Sequence, residues 1–319
     1  MANTLLQTSR ARVVVAAAAM ICAASIGPLC AHNIVQVDAA KRAVLSADAR
    51  VYAQLATLPA PRPGTTPVLV ELFTSEGCSS CPPADALLAQ LDRDQPVPST
   101  DIIALGEHVD YWDGQGWHDR FSSPSFTQRQ RDYQFLFKLD DSYTPQAVVN
   151  GSAQFNGANR NGILKAIHEA EINTVPLQFT SVQVHDGTVT FTLLDSTSTH
   201  PEYVNVYAAL VDPTDTTEVH GGENNNRTLH HAGVVRTLAV VGNSWHMKNL
   251  GERPFNIQLH TPGTLNGMRL VVFAQTKPIG PILGAVSCVL STNPTPSPAD
   301  APFPANPCLT AASPIAPAQ

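Results

Sequence analysis

Apolar and polar positions alternate in two different ways along this chain, and the change falls near its middle. In residues 67–92, PVLVELFTSEGCSSCPPADALLAQLD, Val68, Leu69, Val70, Leu72 and Phe73 form a short unbroken apolar run. That is the pattern of a strand covered on both faces. Ser75, Glu76 and Gly77 interrupt it. Ala84, Leu87, Leu88 and Leu91 then recur at helical spacing, behind Pro82 and Pro83, which suit a helix's first turn. Asp85 lies in that turn, where a carboxylate complements the helix dipole. Ile102, Ile103, Ala104 and Leu105 predict a second buried strand over 101–109. Ser123 and Pro124 open a helix with Phe126, Tyr133, Leu136 and Phe137 on its apolar side and Arg129 and Arg131 on its wetter side. Residues 147–150 form a short strand ending in Asn150-Gly151, a hairpin signal, and 154–156 return antiparallel. A helix over 159–171 turns Ile163, Leu164 and Ile167 inward.

From Val175 the helical period is gone. Residues 177–184 and 188–194 flank His185-Asp186-Gly187 as a hairpin with Val189, Phe191 and Leu193 alternating. Further strands are predicted at 203–211, 233–241, 255–260, 268–275 and 282–290. The expected fold class is therefore an α/β domain over 66–173, followed by an antiparallel all-β, sandwich-like domain over 174–291.

Residues 78–81, Cys-Ser-Ser-Cys, stand where the first helix begins. Free N–H groups and partial positive charge at a helix start lower a thiol's pKa, from about 8.5 to about 3.5–7.5 in such settings. Two intervening residues let both sulfurs meet across one turn. Cys78, expected nearer solvent, is the attacking thiolate of a thiol–disulfide exchange, and Cys81 resolves it. Two other readings stand beside this one: a non-catalytic module whose β domain binds a partner and whose cysteines are a permanent structural disulfide, and an envelope metal-binding protein in which His108 joins Cys78 and Cys81 around copper or zinc. The exchange itself needs neither cofactor nor metal. Its partners are protein or peptide thiols and disulfides, plus a redox partner.

The remaining features set compartment and surroundings. Arg10 and Arg12, the uncharged apolar residues 13–26 and a cleavage point after Ala31 read as a signal peptide over 1–31, so the chain is expected in the periplasm, the cell envelope or outside the cell. Membrane contact is expected only through that leader if it stays uncleaved. Net charge is −7, which argues against nucleic acid as a partner. Residues 32–65 are an extension with a stiff Pro-rich linker, and 292–319 a Pro-rich disordered tail. Of six cysteines, Cys22 and Cys30 fall in the leader and Cys78 and Cys81 in the motif. Cys288 and Cys308 remain, and by elimination pair in an oxidising compartment.

His108 and Asp110 open a glycine-containing loop over 108–119 that holds Trp112 and Trp117. Ligands of open α/β sheets sit beyond the carboxyl ends of strands, so this loop and the cysteines are expected to face each other. Trp112 and Trp117 then wall the site or bind substrate; the plainer reading is a loop packing its own aromatics. Glu223, Arg227, His230 and His231 make a polar segment between strands, either docked on the redox face or an ordinary loop-to-strand junction. Adjacent His230 and His231 point to opposite sides of a strand.

ELFTSEGCSSCPPADALLAQL, HVDYWDGQGW and YTPQAVVNG together resemble the bacterial family catalogued as domain of unknown function 1223, over about residues 67 to 290. Its first half is similar to thioredoxin. The resemblance implies a thioredoxin-like fold for 66–173 and an export signal. It also places Thr144-Pro145 where that fold carries a cis-proline against the cysteines, with Thr144 left free to pair with a substrate strand. Glu71 stands near where redox enzymes of this fold keep a buried acid that exchanges a proton with the second cysteine.

Overall fold

β1 (Thr66–Thr74) is buried from Val68 onward, and a computed structural model of the chain shows why the run has no polar face. The structure describes residues 65–170, 177–195, 203–243, 254–259 and 263–290, all within one unit, Gln54–Gln319. The expected leader and extension up to residue 64, the residues from 291 onward, and with them Cys22, Cys30 and Cys308, lie outside the described residues. No helix among the described residues is long and apolar enough to cross a membrane.

On one face of β1, Val68, Val70 and Leu72 meet Ala84, Leu87, Leu88 and Leu91 of α1 (Pro82–Asp94). Ile163 and Ile167 of α3 (Arg160–Ala170) join the same core. β2 (Thr100–His108) runs parallel to β1, from Thr66 opposite Thr100 to Thr74 opposite His108, with α1 as the crossover. On the other face lies α2 (Pro124–Phe137), started by Ser123, whose Oγ accepts from the N–H of Ser125. β3 (Gln146–Val149) pairs antiparallel with β1, and β4 (Ala153–Asn156) returns from the left-handed Asn150 and Gly151.

β5 (Leu177–His185) and β6 (Thr188–Asp195) close through Asp186-Gly187, both left-handed, as the sequence predicts. With β9 (Phe255–Gln258) they form a three-stranded antiparallel sheet. Its apolar face packs on Val206, Ala208, Leu210, Leu270 and Val272, a sandwich-like core.

The expectation of a β domain with sheets of its own needs correction. β7 (Val204–Val219), β8 (Arg227–Asn243), β10 (Arg269–Thr276) and β11 (Ile282–Val289) continue the first half's sheet. The eight strands run β11-β10-β7-β8-β2-β1-β3-β4. The join is Gly106 of β2 beside Val234 of β8, in parallel. It needs two glycines. A Cβ on Gly106 would lie 3.1 Å from the Ala232 carbonyl oxygen, and one on Gly233, whose φ is +63°, would lie 2.5 Å from that of Ala104. A second core crosses the join, with Leu69, Ile103, Leu105 and Phe126 against Val211, Val235, Val271 and Phe273. Gly233→Val is therefore expected to destabilise the protein by about 2–4 kcal/mol, through left-handed strain and overpacking, seen as a lower midpoint in urea unfolding. A change under about 0.5 kcal/mol would show that the close approach is not needed.

β7 and β8 also run longer than expected. Past Val211 the apolar alternation fades, so 212–219 and 227–232 read as loop. They form a paired ribbon, Asp212 opposite Val234 out to Val219 opposite Arg227. Strand hydrogen bonds join backbones whatever the side chains, and much of this ribbon faces solvent.

Candidate functional site

Cys78 and Cys81 are joined as a disulfide in the turn that follows β1. The N–H of Cys78 bonds the Ser75 carbonyl and that of Cys81 the Cys78 carbonyl. Cys81 has helical dihedrals, and its carbonyl accepts from the N–H groups of Ala84 and Asp85. The pair thus sits at the amino end of α1, where the spacing of prolines and leucines puts it. Its exposure differs from expectation. Both cysteines are 0% exposed, so Cys78 is not the sulfur nearer solvent; only Ser79 and Ser80 face out.

The cover comes from distant segments. The turn between β7 and β8, residues 220–226, reaches the motif. Asn224, itself buried, donates through Nδ2 to the carbonyls of Glu76 and Cys78, at 2.9 Å each. Glu223 accepts the Ser79 N–H at 3.1 Å, and the Ser79 hydroxyl first, with this N–H, holds its exposed carboxyl below the usual pKa. Arg227 holds the Asn224 side-chain oxygen at 2.8 Å. Of the two readings of this segment, docking on the face of the motif is the one observed.

The tryptophan loop adds the other wall. Trp112 lies against Gly77 and donates to Thr144 Oγ1 at 2.8 Å. Trp117 donates to Glu76 Oε2 at 2.7 Å and lies against Gly222 of the turn. Thr144-Pro145 is cis, and Gly157 packs against both its proline and Ala84 in the first turn of α1: a Cβ on that glycine would lie 3.0 and 2.9 Å from them. Trp112 and Trp117 are thus gathered at the motif, as the loop's place after β2 implies, and Thr144 is tied to them through Trp112.

Behind the disulfide lies a buried polar cluster. Asp119 accepts from His108 Nδ1 at 2.6 Å and from the N–H of Glu76 at 2.9 Å. Burial pushes the Asp119 carboxyl up, but His108 and these N–H bonds outweigh it, and its pKa falls below the usual value. Burial likewise works against the His108 cation, yet Asp119 with Asp85 and Glu76 behind it raises that pKa. Asp85 accepts from Thr74 Oγ1 at 2.8 Å, and burial lifts its carboxyl. His231 lies 3.5 Å from Glu76 Oε1 and 4.0 Å from Asp85 Oδ2. His230, one residue earlier, points the other way and meets Thr216 at the surface.

The family described as Protein of unknown function (DUF1223) matches residues 69–275, which include every residue of this site. The chain belongs to this family. A crystal structure of a protein from Agrobacterium tumefaciens is similar at a TM-score of 0.52 and 25% identity, covering 72% of this chain and 96% of that one. No curated protein matches.

Glu71 of this DUF1223 chain does not lie under the disulfide. Side chains of a strand alternate, so Val70 and Leu72 face α1 while Glu71 faces α2. Its carboxylate accepts from Arg129 Nε and from the Tyr133 hydroxyl, and Gln275 bonds both of those. Arg129, expected on the wetter side of its helix, is 6% exposed. The buried acids flanking the motif in the chain are Glu76 and Asp85. Asp85 was legible as the residue four after Cys81, one helical turn on. Glu76 and Asn224 carried no signal beyond turn composition.

The metal reading finds its two sulfurs bonded to each other. His108 Nδ1 is held by Asp119, and its Nε2 has no hydrogen-bond partner among the described residues. Among the described residues no group of three or more His, Cys, Asp or Glu is arranged to hold a metal ion. Cys288 is buried at 1% exposure; Cys308, and with it the expected pairing, lies outside the described residues.

Proposed function

We propose that this protein is an exported thioredoxin-like thiol–disulfide oxidoreductase acting on protein or peptide thiols and disulfides through Cys78 and Cys81. The observation that carries the reading is the Cys78–Cys81 disulfide at the amino end of α1. When reduced, a thiol there is stabilised as thiolate by the helix's free N–H groups. The order strand, helix, strand, helix, two strands, helix and the cis Thr144-Pro145 bond ahead of β3 support a thioredoxin-like first half. In the exchange, Cys78 thiolate attacks a substrate disulfide and releases one substrate thiolate. Cys81 thiolate then attacks Cys78 Sγ, closes the protein disulfide and expels the second. The substrate is reduced by two electrons and the cysteines oxidised by two; with a dithiol substrate the same steps run in reverse. Trp112 and Thr144 line the approach, and export through the leader supplies the compartment.

Cys81→Ser is expected to accumulate a mixed disulfide through Cys78 when mixed with an oxidised peptide, visible as an added mass that a reductant removes. Cys78→Ser should give none. No adduct in Cys81→Ser, with the protein folded, overturns the reading. A second reading, a permanent staple, draws on one observation: both cysteines are fully buried under the 220–226 turn. It expects no adduct and slow reduction by dithiothreitol.

A further inference from the structure

His231 is a buried group whose chemistry packing leaves unexplained. Its side chain is 2% exposed, yet neither ring nitrogen has a hydrogen-bond partner among the described residues. Leaving buried polar atoms unpaired costs stability, which a phenylalanine or leucine at this position would avoid. The ring lies edge-on to His108, 4.8 Å between centroids, and to Phe121 at 5.8 Å. Glu76 from the motif's turn and Asp85 from α1 flank its two nitrogens, and Asp119 stands behind His108. Three carboxyls and two imidazoles thus share one buried volume beside the disulfide.

We propose that His231 is a positioning residue for exchange at Cys81, acting through Asp85, which holds the proton that Cys81 takes up when the disulfide opens. The proposal rests on the oxidoreductase reading above. Cys81 and Asp85 are one helical turn apart, joined by the Asp85 N–H to Cys81 carbonyl bond, and a helical side chain leans back toward the preceding turn. Both residues are buried. When the thiolate of a donor protein attacks Cys78 Sγ, the new S–S bond forms as the Cys78–Cys81 bond breaks, and the electron pair leaves on Cys81 Sγ. The donor sulfur is oxidised and Cys81 reduced. That thiolate arises in a fully buried place, so it needs a proton. Asp85 gives its own, and the carboxylate left behind faces Nδ1 of His231, which stabilises it as an N–H donor. In reverse, the carboxylate takes the Cys81 proton, and the freed thiolate displaces the donor from Cys78. Burial keeps Asp85 protonated beyond the usual carboxyl range, as the step requires.

The test is the pH dependence of the equilibrium between the full-length protein and dithiothreitol. A linked proton that changes hands on reduction adds about tenfold per pH unit to the equilibrium constant between its two pKa values. Wild type should show that extra bend. His231→Asn should lose it or move it by about one pH unit, Asp85→Asn should lose it, and the double variant should resemble Asp85→Asn. Identical profiles in wild type and His231→Asn overturn the proposal. Imidazole nitrogen NMR on the unsubstituted protein gives a check that no folding defect can obscure. At one fixed pH the His231 nitrogen shifts should differ between oxidised and reduced forms, and identical shifts overturn the proposal as well. The equilibrium needs no natural substrate. A bend that persists while Cys81→Ser traps nothing defeats the oxidoreductase reading; a trapped adduct without the bend defeats the role of His231.

Discussion

Asn224→Ala makes the Cys78–Cys81 disulfide react about ten- to thirtyfold faster with dithiothreitol, because two hydrogen bonds worth about 1 kcal/mol each no longer hold the 220–226 turn over it. Both sulfurs are fully buried, so any reductant must first meet an opened form. The fraction open is set by what ties the turn down. Asn224 contributes two bonds to carbonyls of the motif itself, and Arg227 keeps its amide oriented. Glu223 adds a bond at an exposed edge, where water competes, so Glu223→Ala should accelerate reduction less. Stopped-flow reduction followed by the fluorescence of Trp112 and Trp117, both beside the motif, measures the rate. An Asn224→Ala rate equal to wild type would mean that something other than this turn shields the sulfurs.

Arg129→Met costs about 3–5 kcal/mol of stability, the usual result of stripping one partner from a buried ion pair. Arg129 bonds Glu71 and lies 3.6 Å from Glu107, and both carboxyls are 0% exposed. Glu107 has no hydrogen-bond partner for either oxygen among the described residues, and burial, then Glu71, holds its pKa well above 4.5. Without the guanidinium both carboxyls must be protonated to stay buried. Burial then favours their neutral forms, so the folded state of the variant binds more protons than the unfolded one. Their contribution is fully present below the ordinary carboxyl range and is lost as pH rises through the folded pKa values. The deficit of Arg129→Met against wild type should therefore be smallest near pH 4.5 and grow toward neutrality. Urea unfolding at several pH values checks this; a deficit independent of pH would show that the loss is one of packing alone.

The two halves of the chain were unequally legible. β1, α1, β2, α2, the β3–β4 hairpin and α3 follow from apolar spacing, two proline-started helices and one Asn-Gly turn. These are short-range signals, and they suffice where each element buries its own face. The strands of the second half were legible as strands, but not their sheet. Pairing depends on which backbones can approach, and at the β2–β8 join that was decided by Gly106 and Gly233, 127 positions apart by their numbering. Glu71 shows the same limit at the level of one residue. Its place in an apolar strand marks it as buried, but only the register of β1 against α1 and α2 says which face it takes.

Sequence alone determined that two cysteines stand at a helix start after a buried strand, since that arrangement is written within a few adjacent residues. Tertiary structure decided whether those sulfurs meet solvent, which acids lie behind them, and that Asn224 and His231 belong to the same site. The physical reason is that burial and hydrogen bonding are settled by residues that meet only after the chain folds. Here the β7–β8 ribbon carries its tip across to the motif from nearly half the chain away.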